Sequence, residues 1–218
     1  MLIKWITCEV PHKRKRAFDA AQRRWSALGG VPGFIAQIGG WDTRGLCDGA
    51  DRACIIALWQ DAGAYAQFMD RFHDPIAAAS AQGDTYTDSG VCVFEHLLDM
   101  PGLYASLGEA ISPRPELLRV ADCTLRPGRD EQFIKTQGMV WLPGMAGVEG
   151  MLGGAVGRAI DEDGRYLVAT LWRRESDHDR YAESVLLGLK EQAGPDRDVA
   201  CLAGHAVRLE PDWFVEAV

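Results

Sequence analysis

An internal repeat constrains this chain more than any other feature of its sequence. Residues 2–8 fall on residues 117–123 when the second half is moved over the first by 115 positions, and residues 33–40 fall on residues 147–154 at an offset of 114. The matches keep their order while the offset falls to 109, and they continue with Leu58-Trp59 on Leu171-Trp172, Cys92 on Cys201, and His96 on His205. Ordered self-similarity of this kind predicts a duplicated structural unit.

Each half carries the same order of strands and helices. In the first half, apolar or alternating segments predict strands at residues 2–10, 34–41, 53–59 and 91–96. Apolar residues at helical spacing predict a helix over residues 13–28 and a second helix with Tyr65, Phe68, Met69 and Phe72 on one side. The order βαββαβ is that of a ferredoxin-like unit, so the sequence predicts an α+β fold made by tandem duplication of this unit.

The third strand, residues 53–59, is apolar on both faces. Both helices of a ferredoxin-like unit pack on one face of its sheet, so the second face needs another cover. The second repeat can supply that cover within the same chain. We therefore predict two antiparallel sheets that form an α+β barrel, an intrachain pseudo-dimer that exists as a monomer or as a weak homodimer.

The repeats also predict the domain boundaries. Residues 1–100 are expected to form the first ferredoxin-like repeat and residues 117–218 the second. Residues 101–116 contain three prolines and are expected to be a linker with a short helical piece over residues 103–110.

Composition excludes several classes of partner. The formal net charge of −8 argues against the basic face that nucleic-acid binding requires. No apolar run approaches the ~18 residues of a spanning helix, and the first residues lack the order of a signal peptide. We therefore expect no nucleic-acid or membrane partner and a cytoplasmic location. The six cysteines form no C-x-x-C pair and are expected to be reduced and mostly buried.

Three segments resemble the YdbC-like family, which is grouped with the monooxygenases of the dimeric α+β barrel superfamily. They are LIKWITCEV in the first strand, PGFIAQIGGW around the second, and FMDRFHDPI after the second helix. The resemblance covers about residues 1–100 and extends to the second half only through the repeat. It implies this fold and a cavity between sheet and helices in which related proteins bind small, often aromatic, molecules.

The haem-degrading members of that superfamily use an Asn on the first strand and a Trp and a His on the second helix. This chain contains no Asn. The Trp position is occupied by Phe68, the His position by Ala78, and Tyr181 stands at the equivalent of Phe68 in the second repeat. Because the usual axial ligand is missing, we predict neither haem nor another cofactor.

His73 and Asp74 are the first catalytic candidates. An imidazole beside a carboxylate can act as a general base near neutral pH. The alternative interpretation is helix punctuation, in which Asp74 caps a new helix that begins at Pro75. The second repeat has Leu186-Leu187 at the aligned place, so such a site would occur once per chain.

His96 and His205 are further catalytic candidates because they match between the halves, each four residues after a matched cysteine. A soft metal ion held by cysteine and histidine is one interpretation, and buried thiols with a hydrogen-bonded histidine are the other. Four residues of a strand span ~13 Å, so one ion cannot bind both Cys92 and His96. We predict no metal site.

Trp5, Gln37 and Trp41 are the predicted ligand-binding residues, because mixed apolar and hydrogen-bonding walls suit a flat organic molecule. The function predicted is a small-molecule-binding α+β barrel that acts as a cofactor-independent monooxygenase on an aromatic substrate. The alternative, of nearly equal weight, is a non-catalytic binding or stress-related module.

Overall fold

The computed structural model describes residues 1–44 and 49–218. Its strands and helices are β1 (Leu2–Pro11), α1 (Lys15–Gln22), β2 (Phe34–Asp42), β3 (Ala50–Trp59), α2 (Ala62–Arg71), α3 (His73–Ser80), β4 (Asp88–Pro101), β5 (Leu117–Leu125), α4 (Asp130–Thr136), α5 (Leu142–Met145), β6 (Met151–Ala159), β7 (Arg165–Trp172), α6 (Glu175–Ser184), α7 (Leu186–Ala193), β8 (Val199–Leu209) and β9 (Val215–Glu216).

The first compact unit comprises residues 1–93 and 207–218. Its central strand is β3, which pairs antiparallel with β1 on one side and with β2 on the other. The end of β8 and the short β9 pair with β2. All seven residues from Ala53 to Trp59 are buried, in agreement with the apolar character of this strand.

The second compact unit comprises residues 94–206. Its central strand is β7, which pairs antiparallel with β5 and β6. The second half of β4 pairs antiparallel with β6, from Phe94 opposite Ala159 to Pro101 opposite Gly153. The unit boundaries therefore fall inside β4 and β8, whereas the sequence predicts that the first repeat ends at residue 100, one residue before the end of β4, and the second at residue 218.

The hydrogen-bonded strand order is β3-β1-β4-β6-β7-β5-β8-β2-β9, and β2 also pairs with β3. Each repeat contributes four long strands with helices after its first and third strands. The predicted fold class is confirmed: the chain is an α+β protein with a tandemly duplicated ferredoxin-like unit, and the strands of each unit pair antiparallel.

Strand register confirms some of the proposed matches and corrects others. Leu2 opposes Trp59 and Leu117 opposes Trp172, which confirms the offsets of 115 and 113 for the first and third strands. In the second strands, Phe34 and Met151 oppose the same two tryptophans, and each is followed by a register shift. The true offset there is 117, so the alignment at 114 is wrong.

The match of His96 with His205 is also wrong. Gly40 pairs with Leu209, whereas Gly157, its equivalent at the offset of 117, pairs with His96. Leu209 is therefore the counterpart of His96, and His205 is the counterpart of Cys92. Burial agrees, since both His205 and Cys92 begin the buried part of their strands. A similarity of spacing produced the proposed match.

Two predicted helices differ from the structure. Residues 13–28 contain only the short α1, flanked by 3-10 turns at His12–Arg14 and Arg23–Gly30. Residues 103–110 form bends and turns instead of a helix. The N–H groups of Leu103 and Tyr104 bond to carbonyl groups of β6, which draws the segment into an extended path.

Four cysteines are buried as predicted: Cys8, Cys54, Cys92 and Cys123. Cys201 is exposed, because it lies in the exposed first half of β8, and Cys47 lies outside the described residues. In the part of the chain that the structure describes, no helix is long and apolar enough to cross a membrane.

Candidate functional site

A cavity of about 130 Å³ lies in the first unit between its sheet and its helices. Its floor is a row of three residues on neighbouring strands, in which Ala57 of β3 stands opposite Lys4 of β1 and Gln37 of β2. Because alanine has the shortest side chain of the three, it leaves space above the floor. Trp25, Leu28, Phe68 and His73 line the cavity from the helices and the turn after α1, and Ser89 and Val91 of β4 also line it.

Strand alternation explains which residues reach this cavity. Side chains two apart on a strand share a face, and the lining residues of β1 and β3 follow that period. They are Lys4, Ile6 and Cys8 of β1 and Ile55, Ala57 and Trp59 of β3. The same period places Trp5 on the opposite face of β1, where it is 2% exposed.

Lys4 brings a positive charge into this apolar space. The residue is 8% exposed, and its Nζ atom lies 5.4 Å from the ring centre of Tyr65 and 5.6 Å from that of Phe68. These are cation–π distances. Burial lowers the pKa of the Lys4 ammonium from 10.5 to about 8, since desolvation disfavours the charged form. The described lining residues include no carboxylate.

Two buried N–H donors on side chains of the cavity wall have no hydrogen-bond partner among the described residues: Nε2 of Gln37 and Nε1 of Trp59. A buried donor left unpaired costs about 1–3 kcal/mol, so such groups are rare in folded proteins. The side chains of Gln37 and Trp59 line the same cavity as Lys4. The cavity lining therefore combines one cation with two side chains whose N–H donors are unpaired.

Three other polar side chains of the cavity wall bond to one another. Trp25 donates its indole N–H to Oε1 of Gln82 at 2.7 Å, and Gln82 donates to Oε1 of Gln22 at 2.7 Å. These two hydrogen bonds join the turn after α1 to the segment after α3. They hold the helical side of the cavity in place without using the unpaired donors.

The His73–Asp74 pair lies at the edge of this cavity. The Nδ1 atom of His73 is 2.8 Å from Oδ1 of Asp74, and the His73 ring packs against Trp25 and Phe68 at centroid distances of 6.0 and 5.6 Å. The Asp74 side chain is 93% exposed. α3 begins at His73 without a side-chain cap, so the predicted capping role of Asp74 is wrong.

The other predicted site residues lie elsewhere. His96 is in the second unit, and its Nε2 atom is 3.0 Å from Oδ1 of Asp99. His205 is buried in the same unit, and its carbonyl group accepts a hydrogen bond from the Arg119 guanidinium. Trp41 packs against Phe18 and Trp213 at 5.7 and 5.3 Å instead of lining the cavity.

The cavity therefore brings together Gln37 and His73 from the predicted set, with Asp74 beside His73. Lys4 and Trp59 are the functional candidates that sequence reasoning missed. Lys4 carried a usable signal, because a lysine between apolar residues on a half-buried strand is placed on the same face as Leu2 and Ile6.

In the second repeat the equivalent side chains are hydrogen-bonded. Its equivalent row is Arg119, Thr170 and Gly154. The indole of Trp172 donates to Oγ1 of Thr170 at 3.1 Å, and Arg119 donates through Nε to Nε2 of His178 at 3.1 Å. Ala57 replaces this threonine in the first repeat, which leaves the Trp59 donor unpaired.

Haem does not fit the cavity. A volume of about 130 Å³ is close to the roughly 150 Å³ of a cavity that holds one benzene molecule, whereas a porphyrin contains four linked rings. Phe68 stacks on Trp59 at 4.5 Å and fills part of the space beside the second helix.

Comparison with known sequences places the first repeat among proteins of unassigned activity. Residues 2–94 match the family model described as a domain of unknown function (DUF4937). The chain is 40% identical over 95 residues to the uncharacterized protein YdbC of Bacillus subtilis (strain 168). That match covers 44% of this chain and 78% of YdbC.

Solved structures share the fold over nearly the whole chain. A putative monooxygenase from Lactobacillus acidophilus NCFM has a TM-score of 0.69 and 13% identity, over 99% of this chain and 96% of that one. A putative monooxygenase from Fusobacterium nucleatum has a TM-score of 0.74 and 10% identity, over 99% and 94%. An anthrone oxidase-like protein has a TM-score of 0.66 and 12% identity, over 96% and 91%.

Proposed function

The chain belongs to the YdbC-like family, and from this premise we propose that its first repeat binds a small aromatic molecule and oxygenates it without a cofactor. One observation supports this proposal. The described cavity lining includes a buried cation and two side chains with unpaired N–H donors, and it includes no carboxylate. The likeness to proteins called monooxygenases supports the reaction class.

The donors select the chemical class of the ligand. An anionic oxygen is the group that a cation and two N–H donors stabilise most strongly, because charge-assisted hydrogen bonds are about twice as strong as neutral ones. A phenol that loses its proton presents such an oxygen on an apolar ring. The cavity volume limits the ligand to about one ring.

The proposed reaction takes its electrons from the substrate. A base removes the phenol proton, and the phenolate transfers an electron to dioxygen. The resulting radicals combine through a new carbon–oxygen bond at the para carbon, which gives a hydroperoxide. Loss of one water molecule leaves a quinone, so phenol and O2 yield quinone and H2O, and each product receives one atom of the O2.

Two side chains can accept the phenol proton. Lys4 lies inside the cavity, and its pKa of about 8 provides a fraction of neutral amine at neutral pH. His73 lies at the cavity edge, where Asp74 contacts its Nδ1 atom and can hold one tautomer. We propose that Lys4 accepts the phenol proton, because the side chains with the unpaired donors line the same cavity as Lys4. His73 then lies at the entrance of the cavity.

Oxygen consumption tests this proposal. Single-ring phenols with an unsubstituted para carbon are expected to consume one O2 per quinone formed in the presence of the protein, and the three-ring anthrone is not. Lys4→Met should lower the rate at least tenfold, whereas Lys190→Met on the surface should not change it. The absence of oxygen uptake across the panel would remove the oxygenase assignment.

A non-catalytic binding module is the second candidate. The specific observation in its favour is that Asp74, the carboxylate beside the candidate imidazole, is almost fully exposed and so does not strengthen a base inside the cavity. Saturable binding of a phenol without oxygen uptake would establish this candidate in place of the oxygenase.

A further inference from the structure

The cavity that holds Lys4 has the composition of a carbonyl-binding site as well as of an anion site. We propose that the Lys4 amine captures small aldehydes and ketones as imines, with Gln37 and Trp59 as the donors that activate the carbonyl oxygen. This proposal rests on the cavity alone and needs no oxidation, so it goes beyond the proposed oxygenase function.

The strand register supplies the first part of the argument. Lys4 and Gln37 flank Ala57 from opposite sides, and neighbouring strands lie ~4.8 Å apart. The two backbones are therefore separated by roughly 10 Å, with the shortest side chain between them. A small molecule above Ala57 would have the amine on one side and the amide N–H on the other. Trp59 stands two residues along the same face.

The unpaired donors supply the second part. A carbonyl oxygen that becomes an alkoxide during amine addition needs hydrogen-bond donors at that moment. Nε2 of Gln37 and Nε1 of Trp59 are buried and have no partner within residues 1–44 and 49–218, so no hydrogen bond between described residues must break before they act. An apolar cavity also strengthens their interaction with the developing charge.

The step balances without an added reagent. The neutral Lys4 amine attacks the carbonyl carbon and forms a carbon–nitrogen bond, while the carbonyl π electrons move to oxygen. A proton passes from nitrogen to that oxygen, and the carbinolamine then loses water. The products are the imine and one H2O, and neither carbon nor nitrogen is oxidised by an external acceptor.

Burial makes the amine available near neutral pH. A decrease of the Lys4 pKa from 10.5 to about 8 raises the fraction of neutral amine at pH 7 about 300-fold above that of an ordinary lysine. Lower basicity also weakens the nucleophile, so the expected gain in rate is smaller, at least tenfold.

The chain contains its own controls. Its other four lysines are exposed or half-exposed, and none of them lines the cavity: Lys13, Lys15, Lys135 and Lys190. Their reaction with an aldehyde reports ordinary surface amines in the same sample.

Reductive trapping tests the proposal on the full chain. Benzaldehyde and sodium cyanoborohydride convert an imine to a stable benzyl amine, and mass spectrometry with fragmentation then resolves Lys4 from the four other lysines and from the amino terminus. At pH 7 we expect Lys4 to be labelled at least tenfold faster than any other lysine. Equal labelling of all five lysines would overturn the proposal.

Two further arms separate a cavity reaction from simple amine reactivity. Gln37→Leu removes one activating donor and replaces a buried amide whose Nε2 atom is unpaired with an apolar group of similar size, so folding should be retained. It is expected to slow labelling of Lys4 about tenfold while surface lysines react as before. A three-ring aldehyde, 9-anthraldehyde, should lose the preference for Lys4. An unchanged Lys4 rate in Gln37→Leu, or equal preference with the larger aldehyde, would contradict the proposal.

Failure of the two proposals can be told apart. Trapping requires no oxygen and oxygen uptake requires no aldehyde. An imine at Lys4 in a protein that consumes no oxygen would leave the carbonyl site standing alone, and oxygen uptake without trapping would leave only the oxygenase.

Discussion

Trp59 and Trp172 occupy equivalent positions but have different hydrogen bonding. The Trp172 indole donates to Thr170, whereas the Trp59 indole has no partner among the described residues because Ala57 stands where the threonine would be. The tryptophan donor is therefore satisfied in the second repeat and unpaired in the first. The difference depends on a single side chain on the central strand.

Matched substitutions measure this difference. Trp172→Phe removes a hydrogen bond and leaves Thr170 buried and unpaired, whereas Trp59→Phe removes a donor that already lacks a partner. We expect the loss in free energy of unfolding to be larger for Trp172→Phe by about 1–2 kcal/mol, measured by urea denaturation. Equal losses would show that the Trp59 indole is satisfied in solution.

The Lys4 ammonium predicts a pH dependence of stability. Its pKa is about 8 in the folded chain and 10.5 for an ordinary lysine, so between these limits the unfolded chain binds more protons. Stability from this group therefore rises with pH from about 8 to 10.5. Relative to Lys4→Met, the wild-type chain should gain up to about 3 kcal/mol between pH 7 and pH 10.5 in urea titrations. Parallel pH profiles of the two proteins would contradict the burial of the charge.

At the scale of elements, the fold was predictable and the fine register was not. The apolar third strand and the βαββαβ order predict paired units because hydrophobic periodicity is a local signal. The true correspondence of Phe34 with Met151 depends on a register shift in each second strand. Neither composition nor hydrophobic periodicity indicates such a shift.

The site was predictable only in part for a similar reason. Gln37 is a polar residue on a mainly apolar strand, and His73 is an imidazole beside a carboxylate. The sequence therefore indicates both as candidates, and both line the cavity. The environment of Lys4 depends on Tyr65 and Phe68, about sixty residues away, so its burial follows from tertiary packing. The unpaired state of Trp59 depends on the strand register, which places Ala57 opposite Lys4 and Gln37. The sequence alone does not give this register.

Gly40 tests how closely β2 and β8 approach. A Cβ atom at this position would lie 1.9 Å from the carbonyl oxygen of Arg208, which is backbone and cannot move aside cheaply. Gly40→Ala should therefore lower the free energy of unfolding by about 3 kcal/mol or more, within the range of severe core changes. Gly30→Ala is the control, since nothing lies within 4 Å of its Cβ. A neutral Gly40→Ala would show that the strands separate easily.

At the scale of the whole molecule, the carboxyl-terminal segment belongs to the first unit. Residues 207–218 pack with residues 1–93, and the fully buried Trp213 donates its indole N–H to Asp19 at 2.8 Å. Residues 1–100 therefore lack part of the unit that contains the cavity, although they make up the whole first repeat predicted from the sequence.

Trp213→Ala tests this contribution. The substitution removes a large side chain from contact with Phe18 and Trp41 and should cost about 3–5 kcal/mol in thermal or urea unfolding. Residues 1–100 expressed alone should fail to fold cooperatively for the same reason. A well-folded, monomeric 1–100 fragment would contradict both this result and the argument that the apolar third strand needs a cover.

Ligand binding tests the central claim most directly: the first repeat holds a small aromatic oxyanion between Lys4 and the unpaired donors. Spectrophotometric titration with 4-nitrophenol reports both occupancy and ionisation, because its phenolate absorbs in the visible range. We expect one saturable site that binds the phenolate form. Its affinity should fall at least tenfold in Lys4→Met. Binding should be lost in Ala57→Thr, which introduces the residue found at this position in the second repeat. Absence of saturable binding, or equal affinity in wild type and both variants, would contradict the account.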